Sequence, residues 1–230
     1  MRTALALRVT VVQRLSRTLL QLNIATRRHH DAADAPWLDL MVPSVDTHDY
    51  IEHLVKIYGF EAPLESALRY TPGLSTLIDL RRRTRTGLLA QDLMRLGMSA
   101  SQIAKLPQRF IAFSDAVDAL GWMYVVERSA LRHGGVLRHL LEHLPEIHHA
   151  SSYLAAYDAA TGNRWSELGT ALDAVGDSAS VVHQLARAAN QGFQALRDWF
   201  SDGDSGVRES MIRVDTEPFA KPYEKRRRHR

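Results

Sequence analysis

The chain contains no cysteine among its 230 residues. Disulfides, thiolate metal sites, iron–sulfur clusters and cysteine nucleophiles are therefore excluded, because each of them requires a cysteine sulfur atom. A chain without cysteine also suits a reducing compartment, and we expect a cytoplasmic protein.

Long apolar runs are missing as well. No stretch approaches the roughly 20 apolar residues that a membrane-spanning helix needs, so we expect no membrane partner. The first residues, MRTALALRVTVVQRLSR, resemble a signal peptide in composition, but Arg8 and Arg14 interrupt the apolar part and no small-residue cleavage site follows. We interpret residues 1–14 as a helical N-terminal extension.

Period-2 alternation and internal repeats are also missing, which argues against strands and repeat architectures. The apolar share of 45% and the charged share of 24% are ordinary for a globular chain. The sequence therefore predicts an all-α fold, a single-domain multi-helix bundle of about eight or nine helices. We place this domain at residues 15–200.

The chain ends in the basic run YEKRRRHR, and its formal net charge is +3. No basic patch interleaved with aromatic residues accompanies this run, so we expect no nucleic-acid partner. We interpret residues 201–230 as a polar and basic C-terminal tail.

Apolar spacing and turn residues predict where the helices lie. Leu15, Leu19, Leu22 and Thr26 share one face of a first helix. A second helix is capped by Asp46 or Thr47 and ends before the Thr71-Pro72-Gly73 turn. A third passes through Leu77–Leu96, is interrupted or loosened near Gly87 and stops at Gly97, and a short helix capped by Ser99 or Ser101 follows. The last predicted helices are a long one over 114–144, closed by Pro145, and two or three more over 150–160, 163–175 and 179–200.

Eleven histidines are present, several of them clustered. His139 and His143 are four residues apart and can face one metal ion, but no carboxylate set accompanies them. His29 and His30 extend the Leu15–Thr26 stripe, each roughly 50° from its axis and on opposite sides. Spacing alone leaves open which of these two faces inward.

The segment TRRHHDAAD, residues 26–34, resembles the Thr-x-x-x-His-x-x-x-Asp segment of bacterial heme oxygenases. In that register His30 stands at the proximal heme ligand, so the resemblance implies a heme oxygenase-like fold with His30 bound to the iron. Further segments resemble the family in the same order: YIEHLVKIYGFEAPLESAL (50–68), DLRRRTRTGLLAQDLMRLG (79–97), ALGWMYVVERSAL (119–131), YLAAYDAATGNRWSELGTALDA (153–174) and FQALRDWF (193–200).

The resemblance implies a reaction in which heme is both substrate and cofactor. Oxidative cleavage yields biliverdin, ferrous iron and carbon monoxide, with electrons from an external donor, either a ferredoxin or another reductase. The last three segments most resemble biliverdin-producing bacterial enzymes, some of which supply phytochromes, so a phytochrome or another biliverdin acceptor is an implied partner.

The family's distal motif, Glu-Gly-Ser-x-Leu-Gly-Gly, reads here as residues 127–133, ERSALRH, with Gly134 and Gly135 two positions late. Its glycines let the backbone approach the porphyrin, which is a role for residues without Cβ. By position, the implied heme-contacting residues are Glu127, Arg128, Gly134 and Gly135, and the implied catalytic residues are Ser129, Arg132 and His133.

Three arrangements of this distal segment remain open. A bulge can bring Gly134 and Gly135 to the heme, Arg132 and His133 can rotate outward, or His133 can bind the iron as a sixth ligand.

The heme propionates require cations. The family often has a basic residue seven positions before the ligand, where this chain has Asn23. Arg27 and Arg164 are the nearest substitutes. Phe193, which opens the FQALRDWF segment, completes the heme-contacting set.

The leading hypothesis is a heme oxygenase, and the alternative is a non-catalytic heme-binding or heme-sensing protein with the same fold. A third hypothesis is an interaction protein with an unoccupied pocket. Thiaminase-like members of the fold class use a cysteine, which is absent here. Di-iron members need several carboxylate–histidine pairs, of which only Glu52–His53 and Glu142–His143 are candidates.

Overall fold

The structure is a computed structural model that describes residues 16–156 and 160–202. Within those ranges it consists of helices, turns and irregular segments, with no strand, so the predicted all-α fold is confirmed. The α-helices are α1 (Arg17–Thr26), α2 (His30–Asp39), α3 (Thr47–Tyr70), α4 (Leu74–Leu77), α5 (Thr86–Arg95), α6 (Ala100–Ile103), α7 (Ala116–Ala130), α8 (His133–His143), α9 (Ser152–Ala155), α10 (Thr161–Val175) and α11 (Ala179–Asp202).

The start and end of α3 follow from local sequence signals. The Asp46 carboxylate accepts a hydrogen bond from the Asp49 N–H at 2.9 Å, and the Asp49 carboxylate accepts one from the Asp46 N–H at 3.0 Å. This reciprocal capping box satisfies two N–H groups that no helical carbonyl can reach. Past the end of α3, Gly73 has a φ of 75°, which favours a residue without Cβ.

The first predicted helix is divided at the point where His30 lies. A single 3₁₀ turn, Arg27–His29, separates α1 from α2. Thr26, the last residue of α1, donates its hydroxyl to the Leu22 carbonyl at 2.8 Å, a local bond that often bends helices. His30 is therefore the first residue of α2 and not the end of one long helix.

The predicted long helix over 114–144 is likewise two helices, α7 and α8, with a turn at Leu131 and Arg132. Gly134 and Gly135 lie in the first turn of α8, one residue after this turn, and each glycine is about 1 kcal/mol less favourable than alanine inside a helix.

The helix predicted through Leu77–Leu96 is interrupted close to Gly87, but Gly87 itself lies in the first turn of α5. The irregular stretch instead precedes Thr86, whose N–H donates to the Glu65 carboxylate of α3 at 3.0 Å. A residue distant in sequence thus supplies the N-terminal acceptor of α5, which no local pattern reveals.

Two hydrophobic cores hold the bundle together. The first core lies around α7 and α11 and includes Leu22, Phe60, Tyr124 and Phe193. These two helices approach closely at Gly121, where a Cβ atom would lie 2.8 Å from the Leu185 carbonyl oxygen.

The second core lies among α2, α3, α5 and α8, and Trp37, Tyr50, Leu93 and Tyr153 are among its buried residues. Both cores flank the segment that carries His30, because α1 and α2 pack on α11 while Trp37 of α2 enters the second core.

None of the helices in the described part of the chain is long and apolar enough to cross a bilayer. The predicted N-terminal extension lies outside the described residues. The last helix continues to Asp202, and the rest of the predicted tail also lies outside the described residues.

Candidate functional site

His30 lies half-buried at the start of α2, between α7 and α11. Its Nε2 atom is 3.1 Å from the Thr26 hydroxyl oxygen, which in turn is 3.3 Å from the Tyr124 hydroxyl of α7. Its ring centroid lies 5.7 Å from that of Phe193 on α11. Three helices therefore fix the position of one imidazole whose surface is still partly open.

Burial and a neighbouring cation favour the neutral form of the His30 imidazole. Burial lowers the pKa of His30 and the Arg128 guanidinium lowers it further, against the opposing effect of Asp34. A neutral imidazole keeps the lone pair that a metal ligand must donate. His30 is therefore competent as a ligand at neutral pH.

The neighbouring His29 has a different environment. Its Nε2 atom is 2.8 Å from the Asn190 side-chain oxygen, and its ring stacks on Phe193 at 5.8 Å. His29 thus faces α11 and is engaged there, whereas His30 lies beside Thr26 and Tyr124. The two histidines that spacing left equivalent differ in their partners.

A single carboxylate, Asp34, holds both arginines of the predicted distal segment. Arg128 donates to both Asp34 oxygens, at 2.7 and 3.2 Å, and Arg132 donates to one of them. The side chains of Asp34 and Arg128 are 6% and 11% exposed, and that of Arg132 is 48% exposed. We call this group of three residues the Asp34 clasp.

The Asp34 clasp joins the two sides of the candidate site. Asp34 lies one helical turn after His30 on α2, while Arg128 and Arg132 come from the end of α7 and the turn before α8. Burial opposes the charge of Asp34, but the hydrogen bonds from Arg128 and Arg132 outweigh it and hold the pKa of this carboxyl below its ordinary value. The clasp is therefore a charged ion pair at neutral pH.

His133 lies in the second core. Its ring centroid is 4.8 Å from that of Trp37 and 4.9 Å from that of Tyr153. Neither ring nitrogen has a hydrogen-bond partner in the described part of the chain. Burial, and then the charges of Arg85 and His53, lower the pKa of His133 well below its ordinary value.

Two other residues of the distal segment are engaged in structural contacts. Glu127 is buried and forms an ion pair with Arg83, with 2.9 Å between Glu127 Oε1 and Arg83 Nη1. The Ser129 hydroxyl donates to the Val125 carbonyl of its own helix at 3.2 Å.

The remaining predicted residues differ in exposure. Arg27 is exposed, and Arg164 is half-buried and forms an ion pair with Glu167 at 3.3 Å. Gly134 and Gly135 are half-buried in α8, and a Cβ atom on either would meet no atom within 4 Å. Open space beside the α8 backbone is thus present where the sequence places these two glycines.

Another buried carboxyl group, Glu61 of α3, is held by two hydrogen-bond donors. Glu61 accepts hydrogen bonds from Tyr153 at 2.8 Å and Arg85 at 3.1 Å. Burial raises the pKa of Glu61 to about 7, because desolvation outweighs the nearby Arg85.

The histidine pair outside the site forms no metal centre with its neighbours. His139 and His143 stack at 4.1 Å between ring centroids. In the described ranges, no group of three or more histidine, aspartate or glutamate side chains is placed to hold a metal ion.

Comparison with known proteins identifies the family. The sequence profile of heme oxygenase matches residues 16–202. The chain belongs to the heme oxygenase family. No curated protein matches the sequence.

The fold agrees with this assignment. The chain is similar to the NO- and CO-bound heme oxygenase from Neisseria meningitidis, with a TM-score of 0.60 and 19% sequence identity, over 84% of this chain and 91% of that one. At this identity the likeness shows the heme oxygenase fold alone.

The side chains around His30 provide the donor set that a heme needs. The His30 imidazole can donate a lone pair to iron, and the guanidinium groups of the Asp34 clasp bind a carboxylate, the same chemical group as a heme propionate. The residues present therefore fit a heme, provided that the Asp34 clasp opens.

Sequence reasoning missed the partners that decide the site. Asp34 was only a motif position, and Tyr124 and Asn190 were not singled out. The spacing of four between His30 and Asp34 is a signal that both lie on one face of α2. No sequence signal links Asp34 to Arg128, which lies 94 positions away.

Proposed function

We propose that this protein is a heme oxygenase that binds heme through His30 and cleaves it to biliverdin, ferrous iron and carbon monoxide. The observation that carries the proposal is the half-buried His30 imidazole, held between α1, α7 and α11, where burial lowers its pKa. Heme, when bound, supplies the oxygen chemistry and is itself the substrate, while an external donor supplies electrons.

Thr26 orients the ligand. Its hydroxyl has one proton, which it donates to the Leu22 carbonyl, so it accepts a hydrogen bond from His30 Nε2. With this hydrogen bond, His30 would hold heme iron through its remaining lone pair, because the hydrogen bond of one ring nitrogen determines the state of the other.

Aromatic side chains shield the same ligand from water. Phe193 and Tyr124 are buried and pack edge to face at 6.0 Å beside His30. Exclusion of water strengthens electrostatic interactions in such a site and protects reactive intermediates.

One observation favours the second candidate, a heme-binding or heme-sensing protein without turnover. Arg128 and Arg132 stand where the family has glycines, and both reach across to Asp34. Long side chains there occupy space on the distal side. In this second candidate the heme binds but the distal side remains blocked.

The proposed sixth ligand, His133, requires a larger change. Its ring would have to leave Trp37 and Tyr153 in the second core to reach a heme. We therefore retain His133 as a ligand only within the second candidate.

Hemin titration tests the binding step. The wild-type protein should develop a sharp Soret band, His30→Ala should weaken it by about tenfold or more in hemin affinity, and His29→Ala should leave it nearly unchanged. His29 is a matched control because it is the adjacent residue of the same type, bound to Asn190. Absence of a Soret band in the wild-type protein rules out both candidate functions.

Turnover separates the two candidates. With ascorbate or a ferredoxin–reductase system, a heme oxygenase should show biliverdin absorbance growing as the Soret band decays. A Soret band that persists without biliverdin identifies the second candidate.

A further inference from the structure

We propose that Arg128 and Arg132 form a binding site for a porphyrin carboxylate, which Asp34 occupies in the free protein and must vacate when the porphyrin enters. This inference rests on the proposed function, because it assumes that the ligand of this site is a porphyrin. It adds a residue, Asp34, that competes with the ligand for the same guanidinium groups.

The geometry of the Asp34 clasp is that of carboxylate recognition. Arg128 presents two parallel N–H groups to the two Asp34 oxygens, the fork arrangement in which arginine binds carboxylates and phosphates. Arg132 adds a third donor to the same carboxylate. Two cations on one anion leave a net positive charge, which attracts carboxylates to this place.

The position of the clasp makes it a barrier to the ligand. Asp34 lies four residues after His30, so both side chains project from one face of α2. Arg128 comes from α7, and its guanidinium holds the Asp34 carboxylate one helical turn from His30. A porphyrin held on His30 therefore meets the ion pair between Asp34 and Arg128.

A carboxylate of the porphyrin can take the place of Asp34, so that neither guanidinium group is left without a counter-ion. An arriving propionate replaces the Asp34 carboxylate on the guanidinium groups, so the two arginines stay paired. The released Asp34 carboxylate then turns towards solvent at the open edge of the site. Exposure of the Arg132 side chain, at 48%, leaves one edge of the site open to solvent for entry.

Two iron-free porphyrins test the exchange, because neither needs His30 as a ligand. Protoporphyrin IX carries two carboxylates, and its dimethyl ester carries none. Asp34→Asn removes the competing charge and should tighten protoporphyrin IX binding by about tenfold while leaving ester binding unchanged. Asp39→Asn, an exposed position on the same helix, is the matched control and should change neither affinity.

A double variant tests the donor side. In the Asp34→Asn background no competitor remains, so adding Arg132→Ala should reverse most of the gain for protoporphyrin IX and not affect the ester. Equal tightening of both porphyrins by Asp34→Asn, no change, or weaker binding each overturns the proposal.

A structure of the wild-type protein with protoporphyrin IX provides a measurement that does not depend on folding of the variants. We expect Arg128 bound to a propionate and Asp34 displaced from it. Persistence of the Asp34–Arg128 pair in that complex overturns the proposal.

The outcomes also distinguish this proposal from the proposed function. Suppose that Asp34→Asn tightens protoporphyrin IX binding as expected, but His30→Ala leaves the hemin spectrum unchanged. The carboxylate exchange then stands, and His30 is ruled out as the iron ligand. If neither porphyrin nor hemin binds to any variant, both proposals fail.

Discussion

At the scale of single residues, two short side chains, those of Thr26 and Asp34, hold the other groups of the candidate site in position. The Thr26 hydroxyl is buried and connects Leu22, His30 and Tyr124. The Asp34 carboxylate likewise connects Arg128 and Arg132, which both donate hydrogen bonds to it. Both residues lie one turn from His30, on either side of it in the sequence.

Thr26→Val should weaken hemin binding by about tenfold, because loss of a hydrogen bond that orients a metal-binding histidine typically has an effect of that size. Thr170→Val is the matched control, since Thr170 also donates its hydroxyl to a carbonyl four residues earlier but is exposed and distant from His30. Hemin titrations of the two variants provide the measurement. Equal affinities would show that Thr26 does not orient His30.

At the scale of helices, the close approach of α7 and α11 determines where the first core lies relative to His30. Gly121 allows this approach, because an added Cβ would lie 2.7 Å from Ala188 Cβ and 2.8 Å from the Leu185 carbonyl oxygen. Gly134 in α8 has open space instead. Two helical glycines thus have opposite steric environments.

Gly121→Ala should lower the free energy of unfolding by about 1–3 kcal/mol, since overpacking forces the two helices apart. Gly134→Ala should raise it by up to about 1 kcal/mol, because alanine favours the helix and meets no neighbour. Urea unfolding measures both changes. Similar effects of the two substitutions would contradict the packing of α7 on α11.

At the scale of the whole molecule, buried titratable groups couple stability to pH. Burial, followed by the charge of Lys56, lowers the pKa of His53 from 6.5 to about 3. His133 shifts in the same direction. Below pH 6.5 the unfolded chain therefore binds protons that the native protein does not, so the free energy of unfolding decreases as the pH is lowered. Glu61 has the opposite effect. Its pKa is about 7 in the native protein and 4.5 in the unfolded chain, so its contribution to stability is lost as the pH rises towards 7.

Between pH 6.5 and 4.5 the lowered pKa values of His53, His133 and His30 act against the raised pKa of Glu61, so the free energy of unfolding should fall as the pH is lowered. His53→Leu removes the contribution of one histidine and should reduce this slope by on the order of 1 kcal/mol per pH unit. His183→Leu, at an exposed position, should keep the wild-type slope. Urea unfolding at the two pH values is the measurement, and a wild-type slope in His53→Leu would contradict the burial of His53.

The sequence by itself determined the features that depend on interactions between residues close together along the chain. The all-α class, the capping of α3 by Asp46 and the turn at Gly73 follow from spacing and local hydrogen bonding. The register of the 26–34 segment pointed to His30 through its resemblance to heme oxygenases.

Only the tertiary structure decided the contacts between distant segments. Asn190 engages His29, and Asp34 binds Arg128 across 94 positions. The break before Thr86 depends on Glu65 of another helix. Such contacts depend on how the helices pack, and the periodicity of one helix carries no information about its neighbours.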